Sequence, residues 1–286
     1  MKKFALFMSI LFLPSTLFAA EKIVPDKLVA YKTIGKTKLR LAVFNPVDHK
    51  SADSKPAIVF FFGGGWTGGK PEQFYQQAKS FADNGFVAFS ADYRVKGKHR
   101  TTPFECVTDG KSAVRWIRQH AAELGVDPNR IVSAGGSAGG HVAACTGVIQ
   151  GHEEKTEDSS VSSLPNAMIL YNPVIDTTEK GYGIDKVGRA RKTEVSPCHH
   201  VRAGIPPTLV FHGKADKTVP FENAARFTKL MKESGNNCVL VPFEGKGHGF
   251  FNGSFFRAKN GDDDFNTTMK HSLKFLADVG ITEKQK

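Results

Sequence analysis

The sequence predicts an α/β protein: a mostly parallel central sheet with helices on both faces and a small lid. Three observations point there. Short apolar runs alternate with amphipathic stretches, the order that a parallel sheet covered by helices requires. One run, AIVFFF at 57–62, is apolar at every position, as in a strand buried on both faces. Several runs end abruptly in glycine, which suits sharp turns at strand ends. With 286 residues, 40% of them hydrophobic and 23% charged, the chain has enough apolar material for one large core.

The elements follow in order. LVAYKTI at 28–34 and LRLAVF at 39–44 alternate apolar with polar residues around Gly35, so they read as an antiparallel pair at a sheet edge. A polar loop leads to AIVFFF. PEQFYQQAKSFADNG at 71–85 reads as a helix stopped by Gly85, and FVAFSADYR at 86–94 as a strand. FECVTDGKSAVRWIRQHAAELG at 104–125 is a helix, RIVSAGG at 130–136 a strand, and SAGGHVAACTGVIQG at 137–151 a helix. AMILYNPVID at 167–176 and PTLVFHG at 207–213 are strands. PFENAARFTKLMKESG at 220–235 is a helix, CVLVPFEG at 238–245 a strand, and FNTTMKHSLKFLADVG at 265–280 the last helix. In such sheets ligands bind at the carboxyl ends of the strands.

The first twenty residues read differently. Lys2 and Lys3 precede the apolar run FALFMSILFL, then Pro14, then Ala19 and Ala20. That is the order of a secretory signal peptide, with cleavage near Ala19 or Ala20 and a secreted or periplasmic product spanning 21–286. The run is too short for a stop-transfer helix, so no stable membrane insertion is expected after cleavage. Export permits disulfides. Cys106, Cys145, Cys198 and Cys238 are widely spaced, without a CxxC or Cys/His pattern. Cys145 lies in an apolar stretch and reads as a buried thiol; one bridge among the others is compatible with the spacing, which assigns no pairing. The formal charge of +11 comes from dispersed residues without a nucleic-acid motif, so no nucleic-acid partner is expected.

The chemistry centres on GGSAGG at 135–140. Ser137 follows a strand and precedes a helix, on a Gly-x-Ser-x-Gly turn that leaves a hydroxyl exposed above the sheet. Side chains at Gly135 and Gly139 would clash on so tight a turn. A serine is a weak nucleophile and needs a base held by a third group. Two later strand ends supply both types: Asp216 after PTLVFHG and His248 after CVLVPFEG. The order Ser137, Asp216, His248 is that required by a strand-turn-helix nucleophile. An acyl-transfer intermediate also needs N–H donors for its oxyanion. Gly64 and Gly65 in FFGGGW, with Ala138 after the serine, fit that role. A phosphate cradle is the rival for this loop, but the Lys-Ser/Thr ending is missing.

FFGGGW, ADYR, GGSAGGH, FHGKADKTVP and GKGHGFF together resemble the α/β-hydrolase fold, and within it the esterase and lipase group related to hormone-sensitive lipase, including acetyl esterases. The resemblance runs from about residue 57 onward. It implies Ser137 as nucleophile, His248 as general base, Asp216 as orienting acid, and Gly64, Gly65 and Ala138 as the oxyanion hole. Two departures stand out. The family usually has His before the three glycines, where this chain has Phe62, which puts the support of the loop in question. No N-terminal helical cap is evident, and the segment at about 177–205 is polar and part loop, so a small lid over an open cleft is expected.

Trp66 and Phe250, with Tyr182 and Phe251, flank these loops as candidate walls of an acyl or sugar pocket, although aromatics more often fill cores. Asp92, Arg94 and Asp109 read as structural ion pairs, His141 as a packed residue, and HEEKTEDSS near 152 as a solvated loop. His212 is the one competitor to His248, but it precedes Asp216. Adjacent His199 and His200 point apart and make a poor metal pair; neither cofactor nor metal is expected. The function expected is hydrolysis of short-acyl, acetyl-type esters, small or carried on a polysaccharide. A peptidase or amidase of the same fold, or a binding protein on that scaffold, is the alternative.

Overall fold

The computed structural model describes residues 22–283, so the signal segment at 1–20 lies outside the described residues. Eight strands form one sheet: β1 (Lys27–Ile34), β2 (Thr37–Phe44), β3 (Lys55–Phe61), β4 (Val87–Ala91), β5 (Val126–Gly136), β6 (Ala167–Tyr171), β7 (Thr208–Gly213) and β8 (Cys238–Phe243). Their order across the sheet is β1-β2-β4-β3-β5-β6-β7-β8. β1 and β2 form the expected antiparallel edge pair, and β2 also meets β4 antiparallel. From β4 through β8 every pairing is parallel.

The helices are α1 (Tyr75–Asp83), α2 (Lys96–His99), α3 (Pro103–Gln119), α4 (Ala138–Val148), α5 (Ile184–Val187), α6 (Phe221–Glu233) and α7 (Asp263–Asp278). α3 starts cleanly because Pro103 takes its first position and the Glu105 carboxylate accepts the Thr102 N–H at 2.7 Å. α4 is buried along its whole length. Gly110 explains how α3 packs so closely on it: an added Cβ would lie 2.4 Å from Val142.

Two expected elements are shorter than the apolar runs that suggested them. α3 ends at Gln119, and the chain turns through 120–125 so that Gly125, at φ +62, can enter β5. β6 ends at Tyr171, because Asn172 adopts φ 41 and Pro173 has no N–H to offer a ladder.

Other details correct the expectations. All four cysteines are free and buried, so no disulfide forms among them. The stretch near 152 is no simple solvated loop. Glu153 pairs with Lys111 at 2.8 Å and with Arg115, Glu157 with Arg115 at 2.7 Å, and Glu154 with Lys32 at 2.9 Å. The cationic ends of Lys32, Lys111 and Arg115 are buried and need counter-charges, which this loop supplies. Arg94 pairs with Asp109 at 2.8 Å, whereas Asp92 accepts the Arg40 N–H and stays out of that network.

Candidate active site

Five neighbouring parallel strands, β3-β5-β6-β7-β8, carry the candidate residues on their carboxyl ends. Gly63–Gly65 follow β3, Ser137 follows β5, Asn172 follows β6, Asp216 follows β7 and His248 follows β8. Side chains far apart in the chain therefore meet above one edge.

Ser137 sits at φ 56, ψ −121, a conformation that a side chain rarely adopts. Its N–H donates to the Tyr171 carbonyl at 2.9 Å, and its own carbonyl accepts from His141 and Val174. The neighbours must be glycine. A Cβ at Gly135 would lie 2.4 Å from the Gly139 oxygen, and one at Gly139 2.1 Å from the Phe61 oxygen.

His248 Nε2 lies 2.9 Å from Ser137 Oγ, and His248 Nδ1 lies 2.7 Å from Asp216 Oδ2. A carboxylate only accepts, so Nδ1 carries the proton and Nε2 is free to accept from the serine. Asp216 is held from several sides. Thr218 and Val219 donate backbone N–H groups to Oδ1 at 2.8 and 3.0 Å, and Asn172 Nδ2 donates to Oδ2 at 2.6 Å. Burial by itself would raise this carboxyl; hydrogen bonds from His212, His248, Val219 and Asn172 outweigh it and keep Asp216 well below the usual carboxylate range. His212 Nε2 faces both the Val219 carbonyl at 3.0 Å and Asp216 Oδ2 at 3.4 Å, so one N–H is shared between two acceptors, and His212 makes no hydrogen bond to Ser137.

The glycine loop is pinned where the sequence left its support in question. Gly63 N–H donates to Gln73 Oε1 at 2.6 Å, and Gln73 Nε2 donates to Asn252 Oδ1 at 3.0 Å. Tyr93 donates its hydroxyl to the Phe62 carbonyl at 2.6 Å and stacks on the Phe62 ring at 4.2 Å. The Gly64 carbonyl accepts from Thr67 and Gly68, which turns the Gly65 N–H of the same peptide the opposite way. Gly64 and Gly65 have φ +125 and +60, and a Cβ at Gly64 would lie 2.3 Å from the Gly68 oxygen. Ala138 opens α4, so its N–H has no partner within the helix.

A cleft of about 270 Å³ opens over Ser137 and His248. Gly63, Gly64, Gly65, Tyr182 and Phe251 line it, and Gln73, Thr218, Gly249, Asn252 and Arg257 complete it. Trp66 and Phe250 are not among its walls. Trp66 is buried against His141 and Tyr182, and Phe250 packs on Phe243 at 4.3 Å. His141 is packed, with Nε2 donating to the Val195 carbonyl at 2.6 Å. The expected lid segment, 177–205, contains α5 and reaches the cleft through Tyr182. Its Lys186 donates to the Gly65 carbonyl at 3.0 Å and to the Tyr182 hydroxyl at 2.9 Å. A larger groove of about 600 Å³, beside α7 at Leu273 and Ala277, holds none of these groups.

Gln73, Asn172, Asn252 and Arg257 were not singled out from sequence. Asn172 had one available signal: a polar residue just past a buried strand, on the edge where ligands bind. The other three carry no local mark in the sequence.

Comparison with known proteins bears on the family and the fold. The BD-FAE family model matches residues 41–185, and the dienelactone hydrolase family model matches 166–272. The apo form of Thermogutta terrifontis esterase 2 superimposes with a TM-score of 0.86 at 47% identity, covering 93% of this chain and 98% of that one. The chain belongs to the α/β-hydrolase esterase family. Among curated relatives it is 32% identical over 223 residues to esterase LipC of Mycobacterium tuberculosis, covering 70% of this chain and 55% of LipC. It is 27% identical over 255 residues to carboxylesterase NlhH of the same organism, covering 81% of this chain and 78% of NlhH. The chain spans about half the length of the first curated relatives it matches.

Proposed function

We propose that this esterase-family chain hydrolyses carboxylic esters through an acyl-enzyme on Ser137. The observation that carries the reading is the continuous relay from Ser137 Oγ through His248 to Asp216, at 2.9 and 2.7 Å. In the first half, Ser137 Oγ attacks the ester carbonyl while its proton passes to His248 Nε2. The oxyanion is met by the N–H groups of Gly64, Gly65 and Ala138. The carbonyl re-forms, the C–O bond to the alcohol breaks, and the imidazolium returns the proton to the leaving oxygen. Water then repeats the sequence: its oxygen bonds the acyl carbon as His248 takes its proton, the Ser137–acyl bond breaks, the imidazolium returns the proton to Ser137 Oγ, and the acid leaves. Asp216, kept ionised by its donors, holds the imidazole tautomer and stabilises its cation.

The preferred acyl groups are short. The cleft, at about 270 Å³, sits below the usual range for drug-sized ligands, roughly 300–1,000 Å³. Solved forms of Thermogutta terrifontis esterase 2 carry propionate and butyrate, and another is phosphorylated by paraoxon. Acetyl-type esters, including acetylated polysaccharide at an open cleft, are the substrate class this supports. Export by the segment at 1–20 belongs to the same reading, and N-terminal sequencing of the mature protein near Ala20 tests it.

Hydrolysis of p-nitrophenyl acetate, butyrate and octanoate by wild type and Ser137→Ala tests the whole. Rates that fall from acetate to octanoate and collapse in the variant support a short-chain serine esterase. No ester cleavage by wild type, with cleavage of amide substrates instead, moves the assignment to an amidase on the same scaffold. Neither activity leaves a binding role.

A further inference from the structure

We propose that Arg257 makes this cleft selective for esters whose alcohol portion carries a carboxylate, an inference that rests on the esterase reading above. Arg257 lines the cleft and is exposed. Its guanidinium lies flat against Gly249, the residue after His248. A Cβ at Gly249 would stand 2.9 Å from one terminal nitrogen of Arg257 and 3.1 Å from the other. Gly249, at φ +81, thus leaves the space that the guanidinium fills.

Arg257 is the one lysine or arginine among the residues that line the cleft; Lys217, beside Thr218, is exposed and outside that lining, and three other nearby cations are engaged. Lys186 is bonded to Gly65 and Tyr182, Lys214 to Glu244 at 2.6 Å, and Lys246 to Asp264 at 2.8 Å. No carboxylate of the described residues pairs with Arg257, and no carboxylate is among the residues that line the cleft. The segment carrying Arg257 is also anchored. Asn260 Nδ2 donates to the carbonyls of Gly249 and Asn252 at 3.1 and 2.8 Å, and Asn252 Nδ2 to that of Gly249 at 2.8 Å. Ser254 bonds Asp262, and the Arg257 N–H bonds the Gly253 carbonyl. A free, forked cation therefore stands at a held position beside the catalytic base.

The side of the substrate follows from the reaction. The carbonyl oxygen turns toward Gly64, Gly65 and Ala138, and the leaving oxygen toward His248 Nε2. Groups beside Gly249 then flank the leaving alcohol. A carboxylate there receives two parallel N–H donors, which a guanidinium supplies and a neutral alcohol cannot use.

The test compares kcat/KM for 4-acetoxybenzoate, for neutral 4-acetoxybenzamide and for phenyl hydrogen succinate, whose anion is on the acyl side. Wild type, Arg257→Gln and Arg257→Lys are measured at pH 7.5 and low salt. Taking the ratio of substrates within each enzyme cancels their intrinsic reactivities. The expected result is a benzoate-to-benzamide ratio that drops about fivefold in Arg257→Gln, mainly through KM. Arg257→Lys should retain part of it, and added salt should erode the wild-type ratio. An unchanged ratio overturns the proposal, as does an equal fall on both substrates. Selective loss of the succinate ester overturns the alcohol-side placement. If wild type cleaves none of these esters nor p-nitrophenyl acetate, the esterase reading itself falls and takes the proposal with it.

Discussion

Gln73 Oε1 accepts the Gly63 N–H at 2.6 Å, and this bond ties the glycine loop to the Asn252 side of the cleft. The bond is buried, and the loop it holds carries Gly64 and Gly65, the proposed oxyanion donors. Gln73→Leu leaves the Gly63 donor unpaired and frees the loop. The expected loss is about tenfold in kcat with a smaller change in KM, because the oxyanion exists only during reaction. Equal losses in kcat and stability, without any effect specific to turnover, would point to packing alone.

Ser137 stores backbone strain at φ 56, ψ −121. Ser137→Gly should abolish ester hydrolysis by about a thousandfold or more while raising stability by about 1 kcal/mol, since glycine takes this conformation freely. Urea denaturation read beside p-nitrophenyl acetate hydrolysis checks both. A less stable glycine variant would refute the strain argument.

Asp216 stays ionised because the hydrogen bonds it accepts, those of His248, Val219 and Asn172 among them, outweigh its burial. Asp216→Asn should lower kcat by about 10³- to 10⁴-fold, since the amide no longer fixes the imidazole tautomer. The carboxyl is held below its ordinary value of 3.8, so its contribution to stability is present above that pH and is lost as pH falls below it. Acid unfolding of the Asn variant should therefore begin from a lower stability and show a shallower slope in that range.

His141 titrates for stability at milder pH. Burial pushes it from 6.5 down to about 4, against the opposing bond to the Val195 carbonyl. Between those values the unfolded chain binds more protons, so stability rises with pH. The contribution is complete above 6.5 and is lost as pH falls toward 4, about 3 kcal/mol in all. Urea unfolding of wild type and His141→Gln from pH 7 to 4.5 should show the steeper slope in wild type. Parallel slopes would place the pH dependence elsewhere.

The four cysteines are buried and unpaired. A thiol reagent should find none in the native protein and all four in denaturant, and a reductant should leave the melting temperature unchanged. A shift with reductant would reveal a disulfide.

Much of the site was readable because each candidate lies where a strand pattern stops. Ser137 follows RIVSAGG, Asp216 follows PTLVFHG, and His248 sits between two glycines after CVLVPFEG. Parallel strands with helical crossovers bring such ends to one edge, so chain order alone forecasts a meeting. Trp66 and Phe250 show where that logic stops. Both sit next to site residues in sequence, yet both are turned into the interior, while their neighbours Tyr182 and Phe251 form the wall. Adjacency along a loop says nothing of which way a ring points; packing against His141 and Phe243 decides it.

The sequence by itself determined the alternation of strands and helices, the buried run of β3, the glycines required around Ser137, and the order Ser137, Asp216, His248. These are local consequences of residue size, backbone freedom and apolar periodicity. The tertiary structure alone decided the rest. Gln73 reaches Asn252 across 179 residues, Asn172 reaches Asp216 across 44, and Arg257 settles against Gly249. Hydrogen-bond partners of that kind are chosen by distance and desolvation in the folded state, which leave no periodic trace along the chain.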